Sequence, residues 1–520
     1  MSHGVARGTF CHVVIVTPSI QGHTGEVFEL NVGDAPQAGL LSVDVSLSLD
    51  PPNMFTMVFA QTQFESAPWS EKIPQYSLVF IEMGSEGHLD GSDPTVMVGI
   101  TGAPVESEHW GEGGPQRTIT IGGRGIEAVL WDAAVWFAPF LEDHPELDAG
   151  ALKWISGPFR EQLTGRMIWA QRIYAKNIDP RQAIIQILIY YLSNHTGGFI
   201  NLQLPANYLI REMLVPGDYT PAELAGLPLD ADHLPRIPRD WTFIGSLLDL
   251  PAPLLLPTAS LHPQPGAVIN LIYRVMDRQT HEFYVQYEAG RRARMIHRAK
   301  PFARGTGLTD APRLEEGQTG FADDAPHLES VHVTSFDVVS RSLRYGIDPI
   351  YNVFFVTPGQ GAILANASFK AHVGPAVAFR ETDRAFIGRW GVRPLEYVSP
   401  YLVVSQEGTV DNRFLQRMST AMNRMLYAWY EPHPNMRGGT LGMVGRAEFR
   451  PGKRLVWHGR EYEGGPPDGR QTLEFYITGV RHRYDFARGA FRSDVQVTRG
   501  WPVREVLGDW IPADDTMRSA

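Results

Sequence analysis

Paired carboxylates are the first residues in this chain whose chemistry could be catalytic. The pairs are Glu106/Glu108, Glu142/Asp143 and Glu315/Glu316. Two carboxyl groups that flank a glycosidic bond can act as acid and base in its hydrolysis. Neighbouring residues on a strand or loop point apart, however, and nothing in the sequence indicates a substrate cleft. We therefore interpret the three pairs as solvated acidic surface.

Histidines are the second group of candidates, because the chain contains seventeen of them. No two have the one-turn spacing of a helical metal site of the His-Glu-x-x-His type. Four lie beside Trp, Pro or Arg in predicted turns or strand ends, namely His109, His144, His433 and His482. We predict that they are turn or interface histidines. A metal site assembled across a symmetry axis is the alternative.

A glycine-rich turn, Gly359-Gln360-Gly361, follows the apolar segment Val353 to Val356. Glycines at such a turn can let the backbone approach a pyrophosphate at a helix N-terminus. Here Pro358 occupies the turn, Leu364 replaces the third glycine and no βαβ period surrounds them. The sequence also lacks a Gly-x-Ser-x-Gly elbow and a Gly-x-x-x-x-Gly-Lys phosphate loop. We therefore predict no catalytic residue, no cofactor and no metal ligand, which favours a structural protein over an enzyme.

Length and composition are those of a soluble globular protein with two to four domains, because 520 residues exceed one core of ordinary size. No apolar run approaches the roughly eighteen residues that cross a bilayer, and the N-terminus lacks the pattern of a secretory signal. We expect no membrane insertion. Cys11 is the only cysteine, which excludes an intrachain disulfide framework and a cysteine-based zinc site. We expect it to be a small buried hydrophobe in a protein folded in a reducing cytoplasm.

The net charge of −11 argues against a general nucleic-acid-binding protein, since phosphate contacts need a basic face. The charge is uneven, because Arg437 to Arg504 contains thirteen Arg or Lys and seven Asp or Glu. We call this segment the basic strip. It could contact an acidic partner, although solvated strand faces are the favoured interpretation.

Residues 1–123 are predicted to form the first antiparallel β-barrel or sandwich. Ser42 to Asp50 alternates apolar and polar residues, which is typical of a half-buried strand. Val96 to Ile100 and Thr118 to Ile121 repeat the pattern, with Gly and Pro clusters between the strands.

Residues 124–330 are predicted to form a mixed α/β middle domain. Its predicted helices are Ile126 to Phe140, Ile184 to Leu192 with Asp179 as N-cap, and Trp241 to Leu250. The proline-rich segment Pro205 to Pro265 is interpreted as an irregular insertion that packs or contacts a partner. Val268 to Tyr287 is predicted to be strand. Pro301 to Ser330 is predicted to be an acidic linker or surface loop that buries little surface.

Residues 331–510 are predicted to form a second β-barrel, with a C-terminal tail at 511–520. Its predicted strands are Val331 to Val339, Val353 to Val356, Leu441 to Val444, Leu473 to Val480 and Asp494 to Thr498. An amphipathic helix, Asp411 to Tyr430, interrupts them and carries a stripe of methionines. Such a stripe could bind a partner but is more often core. The fold class expected is α+β, predominantly β, with two tube-type barrels, a mixed middle region and helical insertions.

Four stretches of the chain resemble the central hub proteins of phage tail baseplates, which join the tail tube to the spike. They are Thr95 to Ile100 with Arg117 to Asp132, Tyr345 to Pro358, Asp411 to Pro451, and Leu473 to Trp501. The last resembles the family's Tyr-hydrophobic-x-x-Val-x-His strand, turn and final Thr-Arg-Gly. Gly125 stands where the family commonly has Asp. The resemblance consists of short motifs, and Pro205 to Pro265 lies outside it.

The resemblance implies a homotrimer in which each chain contributes two barrels. Three chains would then present a pseudo-sixfold ring to a hexameric tube and a threefold surface to a trimeric spike. The implied partners are the tail tube or distal tail protein, the central spike protein and a tape-measure protein. DNA would pass through the channel without specific binding. The implied location is the virion, in the tail baseplate, after folding in the host cytoplasm.

Two other hypotheses remain open from the sequence. One is a tail-associated cell-wall-degrading enzyme that uses carboxylates of the middle region. The other is a carbohydrate-binding or receptor-binding tail protein, for which the twelve tryptophans offer stacking faces.

Overall fold

The structure is a computed structural model. It describes residues 8–17, 25–31, 39–50, 52–60, 68–85, 93–111, 114–132, 134–135, 214–216, 266–288, 292–302, 320–321, 328–347, 349–358, 377–378, 388–399, 422–461 and 470–503. Within these residues the fold is α+β and predominantly β, as the sequence predicts, with a large antiparallel sheet and few helices.

The described part of the first β region contains seven strands. Strands β1 to β7 are Thr9–Val16, Val27–Leu30, Leu40–Ser48, Met54–Ala60, Leu78–Ser85, Thr95–Gly111 and Gly114–Gly125, with the short helix α1, Trp69–Lys72, before β5. The predicted alternation is confirmed in β3, where Val43, Val45 and Leu47 are buried while Ser46 is exposed. Cys11 in β1 is fully buried, as expected.

The described part of the middle region contains five strands and two helices. Strands β8 to β12 are Ala134–Val135, Leu214–Pro216, Gly266–Ala267, His281–Glu288 and Arg292–Ala299, and helices α2 and α3 are Val129–Asp132 and Val268–Val275. Strands β11 and β12 form an antiparallel pair, and β9 joins β12 in parallel. Strand β9 is the only described part of the predicted insertion at 205–265.

Two predictions for this region are wrong. In the described part of the helix expected over Ile126 to Phe140, a 3₁₀ turn is followed by α2, which ends at Asp132, and Ala134 and Val135 pair with β10 as the strand β8. The strand expected from Val268 begins as helix α3. There Ile269 and Ile272, three residues apart on one helical face, are both buried.

The second β region contains the remaining strands. Strands β13 to β21 are Ser330–Val333, Val338–Tyr345, Val353–Pro358, Val377–Ala378, Pro394–Ser399, Arg437–Val444, Arg454–Glu461, Arg470–Asp485 and Ala490–Val503. The strand predicted from Val331 to Val339 is divided into β13 and β14 by a turn. In this turn the Asp337 carboxylate accepts hydrogen bonds from the amide and hydroxyl of Thr334.

The predicted amphipathic helix is helical over 422–430, here called α4, in the part that the structure describes. Met422, Met425, Leu426 and Trp429 are all buried in a core cluster. The described part of the methionine stripe is therefore core, as favoured from the sequence.

A single 13-stranded sheet joins the two β regions. Its main path runs β14-β18-β21-β20-β3-β4-β7-β6-β5-β1-β2, and β13 and β19 attach to it beside β20. The connection is made by β20, because its first half pairs with β19 and its second half, from Gly479 to Asp485, pairs with β3. Strand β21 pairs along the other edge of β20.

The β20–β21 hairpin contributes to both hydrophobic cores. Ile477 and Val497 pack in the core of the second region. Tyr484 and Phe491, nearer the hairpin tip, pack in the cluster that contains the first region. The Tyr484 hydroxyl also donates to the Thr9 carbonyl at 3.1 Å. The hairpin is thus shared by the two β regions.

Closed barrels were predicted, but no closed backbone ladder is found among the described strands. In the second region, the strands around the core run β13-β19-β20-β21-β18-β14, so the two end strands are the pair joined by the Thr334–Asp337 turn. In the first region, hydrogen bonds link the hairpin tip to β1, where the Thr9 hydroxyl donates to the Gly489 carbonyl at 2.7 Å.

The predicted surface loop Pro301 to Ser330 is exposed at Glu329 and Ser330, as expected, but Pro301, Gly320 and Phe321 are buried. Phe302 and Phe321 form an isolated antiparallel bridge, and Phe321 is buried. The Gly320 amide donates to the buried Glu474 carboxylate at 2.6 Å. The composition of Gly, Pro and acidic residues did not indicate these interior contacts, because they are made by only two aromatic residues and one glycine.

Candidate assembly surfaces and buried ionic groups

A β-ribbon built from β6 and β7 is the first candidate for a contact surface. Strand β6 pairs with β5 only up to Ile100, and its register with β7 shifts between Thr101 and Pro104. Such an irregularity bends a strand. Beyond it, residues 104–111 of β6 pair with β7, and their other edge faces no strand among the described residues. We call residues 104–111 and 114–117 the arm.

The arm exposes both apolar and acidic side chains. Trp110 is 78% exposed and Val105 is 57% exposed. Glu106 and Glu108 are also exposed, but Glu106 accepts a hydrogen bond from the Ser70 hydroxyl and Glu108 contacts the Arg117 guanidinium at 3.5 Å. They do not point apart, however, because residues two apart on a strand share a face. Residues 104–107 pair with β7 residues 118–121, which also pair with β4, so only the tip of the arm beyond Ser107 is two-stranded among the described strands.

The edge strand β14 is the second candidate. It pairs with β18 alone among the described strands. Both of its faces are largely exposed, and its exposed residues include Val339, Arg341, Arg344 and Tyr345. The Arg437 guanidinium lies over the Tyr345 ring at 4.7 Å from its centre. Unpaired strand edges readily accept a strand from another chain.

Close approach of β14 to β18 depends on Gly439, which has φ of 153°. A Cβ atom at this position would lie 1.9 Å from the Ser342 carbonyl oxygen of β14. Glycine is therefore required here for the edge strand to dock.

The basic strip is largely neutralised within the chain. Arg454 contacts the buried Glu474 carboxylate at 3.0 Å, and Arg450 contacts the Asp93 carboxylate at 3.2 Å. Arg481 and Arg483 both contact Asp44 of β3. The favoured interpretation as solvated strand faces is correct for these last two arginines, which are about half exposed. The same interpretation is wrong for the basic residues of the strip that are buried.

Arg450, Lys453 and Arg499 are the strip residues that this interpretation misses, because each is less than a tenth exposed. Arg499 donates to the Trp429 carbonyl at 2.8 Å, and burial lowers the pKa of its guanidinium to about 10. Arg450 pairs with Asp93 and Lys453 with Glu329. A count of charges within the strip cannot reveal these partners, because both carboxylates lie far away in sequence.

A buried ionic group connects the middle region with the second β region. Arg298 of β12 donates to the Glu282 carboxylate of β11 at 2.7 Å and to the Gly452 carbonyl at 2.6 Å. The Tyr476 hydroxyl of β20 donates to the same carboxylate at 2.6 Å. Burial lowers the pKa of Arg298, but Tyr284, Glu282 and Tyr476 outweigh it and raise the pKa above its ordinary value. No local pattern predicts this group, because its members come from separate parts of the chain.

Glu127 is a fully buried carboxyl group in the 3₁₀ turn that follows β7. Its Oε1 accepts the Asn53 amide at 2.7 Å, and its Oε2 accepts the Tyr287 hydroxyl at 2.9 Å. Burial raises the pKa of Glu127 to about 7, although these hydrogen bonds lower it. No sequence neighbour marks Glu127, because its partners come from other elements.

Replacing Glu127 by glutamine is expected to change how stability depends on pH. The wild-type folded state binds a proton more tightly than the unfolded chain, so Glu127 makes stability fall as pH rises from about 4.5 to about 7. The glutamine amide cannot titrate. The free energy of unfolding of the variant, relative to that of wild type, should therefore rise by about 3 kcal/mol as pH rises across this interval. Denaturant unfolding at pH 4.5 and 7.5 measures it, with the exposed Glu71→Gln as control. Parallel profiles for Glu127→Gln and wild type would contradict it.

Asp277 is a second buried carboxyl group, positioned between α3 and β11. It accepts hydrogen bonds from the Gln279 amide at 3.0 Å and from the Tyr397 hydroxyl of β17. Burial raises the pKa of Asp277 to about 6. It thus ties the small sheet of β15, β16 and β17 to the middle region.

Two predicted turn or interface histidines are placed by the structure, and neither is an exposed interface residue. His482 lies within β20 and is fully buried, with Nδ1 2.9 Å from the Ser493 hydroxyl and Nε2 3.1 Å from the Phe449 carbonyl. Burial lowers the pKa of His482 to about 4, so it is neutral at pH 7. His433 lies in a 3₁₀ turn, as predicted, but is also buried. The prediction for His482 is therefore wrong, because a satisfied core histidine has no sequence signature.

No set of three or more His, Cys, Asp or Glu side chains forms a metal site among the residues that the structure describes. His109 lies in the arm. The candidates outside the described residues are His144, Glu142/Asp143, Glu315/Glu316 and Gly359-Gln360-Gly361. The predicted helices at 184–192 and 241–250 and the tail at 511–520 also lie outside them. In the described part of the chain, no helix has the length and apolar run that spanning a bilayer requires.

One surface cleft has a volume of about 540 Å³. It is lined by Pro349, Ile350, Tyr351, Trp390, Val392, Arg393 and Pro394. The Arg393 Nε atom donates to the Trp390 carbonyl at 3.2 Å, and Asn352 holds the same loop through the Gly391 carbonyl. The cleft therefore offers aromatic surface but few polar side chains for orienting a ligand.

No protein-family model and no curated protein matches the chain. Among solved structures, the chain is similar to the 43 kDa tail protein of prophage MuSo2 from Shewanella oneidensis, with 12% identity and a TM-score of 0.42 over 94% of this chain and 98% of that chain. It is also similar to the tail protein from Neisseria meningitidis MC58, with 11% identity and a TM-score of 0.44 over 94% and 96% of the two chains.

A third similar structure is the E. coli c3393 protein, described as a component of the type VI secretion system with structural similarity to the T4 bacteriophage tail proteins gp27 and gp5. The identity is 9% and the TM-score 0.32, over 90% of this chain and 74% of that chain. Likeness at these levels leaves the function to be argued from the chain's own residues. These residues define a predominantly β protein with exposed strand edges and an arm.

Proposed function

We propose that this protein is a structural hub of a phage tail baseplate. It forms a homotrimer that joins a hexameric tail tube to a trimeric central spike and surrounds part of the DNA channel. It is not an enzyme. The proposal rests on the sequence motifs that resemble hub proteins and on one structural observation, the strand β20.

Strand β20 supports the proposal because it holds two β regions together as one unit. Its first half pairs with β19 of the second region and its second half with β3 of the first region. We propose that the two β regions joined in this way present two similar surfaces, so that three chains present six. This is the geometry that an adaptor between threefold and sixfold symmetry requires. The division into domains at residues 123, 330 and 510 remains part of the proposal.

The partners follow from the same role. The tail tube or distal tail protein meets the sixfold ring, and the spike meets the threefold surface. A tape-measure protein contacts the channel. The net charge of −11 supports a channel in which DNA slides without adhering, since like charges repel. The protein resides in the virion tail after folding in the host cytoplasm.

Native mass spectrometry of the full chain tests the proposal, with a trimer as the expected species. Imaging of assembled tails should place three copies between tube and spike. A stable monomer at all concentrations, or absence from the tail tip, would reject the hub.

A further inference from the structure

The surface cleft of about 540 Å³ has two aromatic lining residues that are held in place. The Tyr351 ring packs edge-on against the Tyr430 ring of α4, with ring centres 5.2 Å apart. The Arg389 guanidinium lies over the Trp390 ring at 5.2 Å from its centre. Rings that are already ordered lose little conformational entropy when a ligand binds to them. The volume is also in the range of ligand sites.

The loop between Trp390 and β17 is fixed by Asn352, which is 3% exposed. The Asn352 Nδ2 atom donates to the Gly391 carbonyl at 2.7 Å, and the Arg393 amide donates to Asn352 Oδ1 at 2.7 Å. Gly391 has φ of 73°, a conformation that favours glycine. The clamped loop holds Val392 at 66% exposure beside the cleft. The loop is therefore a preformed part of the cleft.

The cleft carries a positive charge that is available to a ligand. Arg393 lines it and is exposed, and its Nε donates to the Trp390 carbonyl at 3.2 Å. A guanidinium has four further N–H donors. In the described part of the chain, neither Arg389 nor Arg393 forms an ion pair with a carboxylate. Because a guanidinium matches a carboxylate with two parallel hydrogen bonds, an acidic group is the partner that fits Arg393.

The other lining residues indicate an apolar peptide around that acidic group. Pro349, Ile350 and Pro394 add aliphatic surface to the two aromatic rings. Clefts lined by aromatic rings bind proline and aliphatic side chains of extended peptides. A carbohydrate fits less well, because its hydroxyls need several hydrogen-bonding groups. Among the described lining residues, only Arg393 and the two aromatic side chains carry such groups.

We propose that the cleft binds an extended, acidic and apolar peptide segment of another protein. The peptide carboxylate pairs with Arg393, and a neighbouring proline or aliphatic side chain packs against Tyr351 and Trp390. This site goes beyond the proposed hub function, since it adds a partner contact that does not depend on the trimer.

Selection from a display library of random linear peptides tests the ligand class on the full chain. Enriched peptides are expected to carry Asp or Glu beside Pro, Leu or Ile. The same library is selected in parallel on the Val392→Glu variant, whose added carboxylate competes for Arg393. The proposal is overturned if no peptide is enriched, if the enriched peptides lack an acidic residue, or if the same peptides are enriched on both proteins.

Fluorescence anisotropy of one enriched, labelled peptide then measures affinity for matched variants. Val392→Glu should weaken binding about tenfold, whereas Val392→Lys should retain or strengthen it, because only the first repels the peptide carboxylate. Val398→Glu is the matched control, since Val398 is 56% exposed on β17 and does not line the cleft. It should leave the affinity unchanged. Thermal unfolding of each variant confirms that the fold is retained.

Arg393→Gln and Trp390→Ala separate the charge from the aromatic surface. Arg393→Gln should weaken binding about tenfold and reduce its dependence on salt, because it removes the ion pair. Trp390→Ala should weaken binding with the salt dependence kept. Equal losses in Val392→Glu and Val398→Glu would show a general charge effect and overturn the site. Glycan-array binding that Trp390→Ala abolishes, without any enriched peptide, would assign the cleft to a carbohydrate. A monomer that still binds the peptide would reject only the hub.

Discussion

Replacing Arg298 by methionine is expected to lower the free energy of unfolding by about 3–5 kcal/mol. The guanidinium is almost completely buried and contacts the Glu282 carboxylate, which is 7% exposed. Methionine fills similar volume but leaves the carboxylate charge without its cation. The loss is large because a buried charge has little water to replace its partner. Denaturant unfolding followed by tryptophan fluorescence measures the change.

Arg481→Met is the matched control for this prediction. Arg481 also contacts a carboxylate, that of Asp44, but its side chain is 51% exposed. Removing an exposed ion pair should cost about 1 kcal/mol or less. Glu282→Gln combined with Arg298→Met should recover part of the buried loss, because it removes the stranded charge. Equal effects for Arg298→Met and Arg481→Met would contradict the buried ionic group.

Replacing Trp429 by alanine is expected to destabilise the fold by about 3–5 kcal/mol. Trp429 is 2% exposed and packs edge-on against Phe302, with ring centres 5.6 Å apart. The substitution leaves a cavity where α4 meets the segment that carries Phe302. Calorimetry of the full chain measures the shift in unfolding temperature.

Trp110→Ala is the control for this second prediction, because it makes the same substitution in a side chain that is 78% exposed. Its unfolding free energy should change by no more than about 0.5 kcal/mol. If both variants lose similar stability, then Trp110 is covered within the chain and is not a free surface of the arm.

Much of the β structure was predictable because alternation is a local signal. The alternation of Val43, Val45 and Leu47 with polar residues predicts a half-buried strand, whichever strands pair with it. The predicted strands of the first region and of the basic strip are confirmed for the same reason. The methionine stripe of α4 is confirmed because its spacing identifies one buried face.

Local patterns failed where distant residues decide the outcome. Ala134 and Val135 could continue the helix that ends at Asp132, but pairing between β8 and β10 makes them strand. His482 could be a surface residue, but Ser493 and the Phe449 carbonyl satisfy it in the interior. No local sequence pattern predicts that Glu127, Glu282 and Arg298 are buried polar groups, because their hydrogen-bond partners lie on other elements. The arm was missed because alternation predicts a strand but does not predict which of its edges is paired.

The shared strand β20 also constrains the order in which the chain can fold during synthesis. Strand β3 is made early, but its partner in the sheet is Gly479 to Asp485, which the ribosome adds more than four hundred residues later. Until then one edge of β3 is open and the first core lacks Tyr484 and Phe491. Pairing at such long sequence separation is slow. A truncated nascent chain therefore cannot complete either core, which should direct prematurely terminated chains to proteolysis before they can enter a growing tail.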